Sequence, residues 1–115
     1  MTKFVVTTQS LENYGAQSSD GSFSNGNAYW KCKGGVNIIV EGLERYQDAW
    51  AFVAAIAPNG IGFKEVPVAC TDYDTWLDNL RSEWKDDEAF EYFRDAAFRR
   101  VVNPADPATY KDLVW

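Results

Sequence analysis

The chain has 115 residues, 17 acidic and 11 basic side chains, a formal net charge of -6, 46% hydrophobic residues, 16% aromatics, two cysteines and no histidine. This length fits one domain spanning 1–115, and the aromatic content supplies a core and speaks against wholesale disorder. The lack of histidine removes Ser-His-Asp and Cys-His nucleophile pairs, imidazole acid-base chemistry and His-liganded metals, while no apolar run approaches the ~18 residues of a membrane span.

Met1–Val6 is too short an apolar start for a secretory leader, so a soluble cytoplasmic domain is expected. Residues 3–8 are β-branched and aromatic and predict a strand. Residues 9–27 hold five serines, three glycines and three asparagines and predict a long polar loop. Loops of that length in compact domains are usually functional or mobile. Residues 28–33 and 36–41 predict two strands, with Gly34-Gly35 as the hairpin turn between them.

A first helix is expected over 43–57. Tyr46, Trp50, Val53, Ala54 and Ala57 form one stripe at helical period, and Phe52 and Ile56 widen it, so this helix should be well buried. Pro58-Asn59-Gly60 stops it. Residues 61–70 predict a strand, with Pro67 marking an edge position or a bulge. Thr71 is the expected N-cap of a second helix, with Asp74 at the capping-box position. Tyr73, Trp76, Leu77, Leu80 and Trp84 make its apolar stripe. A third helix begins near Asp86, faces Phe90, Phe93, Ala97 and Val101 inward, and ends at Asn103-Pro104. The tail 104–115 ends Leu113-Val114-Trp115, which predicts a tucked terminus. The expected class is α+β: a small antiparallel sheet of three to four strands with about three helices on one face.

Cys32 and Cys70 lie 38 positions apart, which is neither metal-ligand nor CxxC spacing. Reduced, mostly buried thiols are expected. The pentad Lys31–Gly35 resembles a phosphate or thiolate site in composition, but strand alternation places both lysines on one side and Cys32 in the core. Glu12, Asp20, Glu41 and Glu44 could supply an acid-base pair or hold magnesium, yet no spacing among them is diagnostic. No catalytic residue, metal ligand or cofactor is assigned.

The entire net charge lies in residues 72–95, which hold nine acidic and three basic groups. This segment reads as the solvated face of two helices or as an acidic patch that docks on a basic surface. Its charge density falls short of duplex DNA, with one charge per ~1.7 Å, and a basic footprint for direct nucleic-acid binding is missing. Tyr14, Phe23, Tyr29 and Trp30 flank the polar loop. They read either as anchors of a binding surface or as core.

Thr7-Thr8-Gln9, Glu12-Asn13-Tyr14-Gly15, Tyr29-Trp30-Lys31 and Gly34-Gly35 give the first 40 residues a pattern close to VTTQ…ENYG…YWK.KGG. This resembles small tailed-bacteriophage proteins with no assigned activity. The resemblance implies a phage origin and an accessory protein acting in host cytoplasm. The expected function is non-enzymatic: occupation of a host protein, such as a defence nuclease or transcription component. Contact would come from Tyr14, Phe23, Tyr29 and Trp30, or from the acidic face with Asp78, Asp87, Glu88 and Glu91. The alternative is a small-ligand or nucleotide binder using Lys31, Lys33, Arg99 and Arg100 across an oligomer interface. A metal-dependent carboxylate enzyme is the third reading.

Overall fold

The computed structural model describes residues 3–13, 30–32, 34–60, 62–113 and 115, with the backbone alone for Asn13, Trp30 and Lys31. Tyr14, Phe23, Tyr29, Lys33 and Asp20 lie outside the described residues, as does the expected loop from residue 14 onward.

The strand β1, Phe4–Asn13, is the centre of the sheet. Its β-branched start holds the expected strand, and the polar residues 9–13 extend it, because they are paired on both edges. One edge pairs antiparallel with β4, Phe63–Asp72, from Phe4↔Asp72 to Glu12↔Phe63. The other edge pairs antiparallel with two short strands in series. These are β2, Trp30–Cys32, opposite Leu11–Asn13, and β3, Asn37–Val40, opposite Phe4–Thr7. A fifth strand, β5, Val101–Val102, adds a parallel pair to β3. The sheet is therefore mixed, and the α+β class holds.

The expected hairpin between 28–33 and 36–41 does not form. Both pieces run along β1 as one interrupted strand. Gly34 takes φ +102°, a region open to glycine, and kinks the chain without reversing it. Ser10 N–H then donates to the Gly34 carbonyl and Thr8 N–H to Val36 O at 2.9 Å. Gly35 sits directly on the Thr8 carbonyl, where no Cβ would fit. Gly-Gly specifies a special backbone, and the ten-residue partner strand decides that it is a kink.

Pro67 meets both expectations for it. Among the described residues β4 pairs within the sheet only with β1, and the register slips between Thr7↔Ala69 and Thr8↔Pro67, leaving Val68 as the bulge. A proline and a bulge together guard an edge strand against further pairing.

Helix α1 spans Tyr46–Ile56, α2 Tyr73–Glu83 and α3 Asp87–Phe98. Strand alternation divides the core between two faces. Phe4, Val6, Ile38, Val40 and Val102 pack with Ala49 and Val53 of α1, and Tyr110, Leu113 and Trp115 close over the same cluster. Val5 and Ile39 pack on the opposite face with Ala97 of α3 and with Tyr73 and Trp76 of α2. Helices thus cover both faces, where one was expected. The tail is tucked as expected, with Tyr110 edge-on to Phe52 at 5.0 Å.

Three further expectations are corrected. In α1 the inward stripe is Ala49, Phe52, Val53 and Ile56, while Tyr46 is 56% exposed and Trp50 also reaches solvent. Ala49 and Val53 are fully buried with Phe52 packed beside them, whereas Tyr46 and Trp50 face outward. The N-cap of α2 is Asp72, whose carboxylate accepts from Thr75 N–H at 3.0 Å, and Thr71 stays in β4. α3 stops at Phe98, and Val101 enters the sheet, where Arg100 O accepts from Ile39 N–H at 2.8 Å. Asp86 caps α3 through Ala89 N–H at 3.0 Å.

Candidate functional site

Helices α2 and α3 are joined by a three-residue link, so their apolar stripes lie side by side on the sheet. The floor of the α2 stripe is covered: Leu80 is buried and Trp76 packs on Val5 and Ile39. At the α2 C-cap Trp84 is partly exposed. There Trp84 stacks on Phe93 of α3, with ring centroids 4.8 Å apart and planes at 25°. Tyr92 meets Phe93 edge-on at 5.3 Å and is 71% exposed.

These rings open a groove of about 350 Å³ lined by Trp76, Leu80, Trp84 and Phe93, with Glu83, Asn79 and Asn37 as its polar groups. This volume is at the lower end of small-ligand clefts, which run roughly 300–1,000 Å³. Asn37 reaches it from the start of β3, where its Oδ1 accepts from Thr7 Oγ1 at 2.7 Å. Glu83 makes no ion pair or hydrogen bond among the described residues. Sequence reasoning assigned Trp76, Trp84 and Phe93 to the core and did not single out Glu83. The available signal was a stripe of four apolar residues on the eleven-residue helix, continued by Trp84 at its C-cap.

The acidic segment is not one continuous patch. Asp78 lies on the side of α2 away from the groove, in a depression shared with Arg81, Ser82 and Lys85. Asp87 pairs with Arg81. Glu88 and Glu91 are exposed on the outer face of α3. Arg81 and Arg94 both sit over the Phe90 ring, at 5.1 Å and 5.6 Å, and the Arg81 contact ties α2 to α3. Asp72 is held below the usual carboxylate range by the hydrogen bonds from Thr75.

Arg99 and Arg100 line a second cavity of about 400 Å³ with Ala108, Thr109, Asp112 and Leu113. Arg100 donates to Ala96 O at 3.1 Å. Lys31 is placed elsewhere: it lies opposite Glu12, at the far end of β1 from the Val5–Ile39 level at which β5 joins. The Lys31 backbone and the Arg99–Arg100 pair therefore lie toward different ends of β1, and Lys33 lies outside the described residues. Trp30 stands beside Lys31 in β2, opposite Asn13.

Cys32 is exposed, not buried, and Cys70 is half-buried, both as free thiols. The interrupted strand puts Cys32 next to the kink, and no helix of the described residues covers it. Burial pushes the Cys70 thiol pKa up. Glu12 and Glu41 stand at opposite ends of β1, and among the described residues no three metal-ligating side chains come together. No helix of the described residues is long and apolar enough to cross a membrane.

No protein-family model, curated protein or solved structure matches the chain.

Proposed function

We propose that this is a non-enzymatic, phage-encoded binding protein that acts in host cytoplasm by occupying the surface of a host protein, and that its contact surface is the α2–α3 groove. The observation that supports this reading is the Trp84–Phe93 stack. Two large rings stand at the solvent-facing end of a groove, on the segment that holds the whole net negative charge. Aromatic anchors in a partly enclosed site surrounded by charge are the composition of interface hot spots. The acids on α3, Glu88 and Glu91, supply a field that attracts a basic partner surface. The phage origin rests on the N-terminal pattern alone.

A tagged pull-down from nuclease-treated bacterial lysate, run with wild type and with Trp84→Ala, tests the reading. One host protein captured near stoichiometry by wild type and lost by the variant is the expected result. No capture, or equal capture by both, would reject it.

The Arg99–Arg100 cavity supports a second reading, a small-ligand site with two guanidinium groups and the Asp112 carboxylate. Calorimetric titration with linear and cyclic nucleotides tests it. Silence across that panel would remove nucleotides from consideration.

A further inference from the structure

The α2–α3 groove has a specific chemical composition. Trp76, Trp84 and Phe93 present aromatic surface, Glu83 a carboxylate, and Asn37 and Asn79 two amides. An aliphatic occupant would desolvate the Glu83 carboxylate without giving it a partner, at a cost. An anionic occupant would meet Glu83 inside a segment of net charge -6. An organic cation suits the rings and the carboxylate: ring faces attract it, Glu83 pairs with it, and an amide oxygen accepts one of its N–H groups.

The same helix pair already uses this chemistry internally. Arg81 and Arg94 lie over Phe90, and Arg94 also lies 5.8 Å from Phe98. Among the described residues no cation lies over Trp84 or Phe93, and Glu83 has no cationic partner. The groove is thus a matching half-site for which no described residue supplies the cation.

We infer that the groove takes an arginine side chain of the partner protein, its guanidinium plane on the Trp84–Phe93 rings and its N–H groups on Glu83. The planar guanidinium stacks on a ring and donates to a carboxylate and amides at the same time, which a lysine ammonium cannot do. This rests on the groove being the contact surface, as proposed above.

The experiment is a titration of the full chain with acetyl-Gly-Arg-Gly-amide, followed by the indole N–H signals of the tryptophans. The expected result is a saturable shift of the Trp76 and Trp84 signals. The citrulline peptide, uncharged and nearly isosteric, should bind at least about tenfold more weakly, and Glu83→Gln should weaken the arginine peptide by a similar factor. Equal binding of the citrulline peptide, shifts confined to other tryptophans, or no saturation up to the solubility limit would each overturn the inference. So would tighter binding of tetramethylammonium than of the peptide, which would make the groove a small-molecule cation site. If Trp84→Ala abolishes capture of a host protein while Glu83→Gln leaves it unchanged, the contact surface stands and the arginine assignment fails. Glu83 is exposed at the end of α2, so the conservative Gln variant keeps the fold.

Discussion

Thr8 Oγ1 donates to Glu65 Oε2 at 2.7 Å across the β1–β4 ladder, and the carboxylate it serves is only 3% exposed. Ser10 Oγ donates to the other carboxylate oxygen. Thr8 Oγ1 in turn accepts from Val36 N–H at 3.2 Å. One hydroxyl thus ties the kinked strand on one edge of β1 to a buried acid on the other.

Removing that acid leaves two hydroxyls without their acceptor in a buried setting. Glu65→Ala should lower stability by about 2–3 kcal/mol, since hydrogen bonds to charged groups are the stronger ones. Glu65→Gln keeps an acceptor and should cost less. Urea denaturation of the three proteins measures the order, and equal midpoints for wild type and Glu65→Ala would contradict it.

A methyl group at Gly35 would overlap the Thr8 carbonyl. Gly35→Ala should therefore force the two strand segments apart and cost about 2–3 kcal/mol, in the range of overpacked sites. Gly62, whose Cβ would meet open space, is the control. Thermal melts of Gly35→Ala and Gly62→Ala should differ clearly, with the first lower.

Asp72 gives the α2 cap a pH dependence of known sign. Its folded pKa lies below the ordinary 3.8 because Thr75 donates to it. Its contribution is therefore present above the unfolded pKa and is lost as pH falls through the lower folded value. In Asp72→Asn the cap acceptor stays and the charge goes. Stability curves from about pH 5 to about pH 2 should converge for wild type and variant as the pH drops. Parallel curves would remove Asp72 from the acid limb.

The two thiols should separate by reactivity. Cys32 is exposed, whereas Cys70 is half-buried with a raised pKa, and so offers less thiolate at a given pH. Timed alkylation with iodoacetamide at pH 8, read by peptide mass spectrometry, should label Cys32 first. Earlier labelling of Cys70 would place it in a different environment.

The outer acids of α3 should act through rate. Glu88→Lys with Glu91→Lys reverses four units of charge on an exposed face without touching the groove. Association with a basic partner should slow by about tenfold at low salt and lose much of its salt dependence, with dissociation little changed. A change confined to dissociation would place these residues inside the contact.

Much of this architecture was legible in the residues themselves. Periodicity located α2 and α3, because Leu80 and Ala97 recur with their neighbours at helical spacing, and strand chemistry located β1, β3 and β4. Pro67 announced an edge or a bulge, since a residue without an N–H cannot sit in a fully bonded ladder. The phase of α1 was not legible. Tyr46 and Trp50 are larger than Ala49, yet Ala49 and Val53 are the residues buried against the sheet, with Phe52 beside them. Val101–Val102 also read as helix, because two residues carry no period of their own.

By itself the sequence determined the local chemistry: a charge concentrated in residues 72–95, a histidine-free chain, helices with caps, and a glycine pair requiring special backbone. Only the tertiary structure decided which surfaces those elements expose. Gly34-Gly35 became a kink because β1 is long enough to pair both flanking strands. Trp84 and Phe93 became a partly exposed stack because the three-residue link brings α3 back beside the end of α2. Burial depends on what stands opposite a residue, and that is a property of distant parts of the chain.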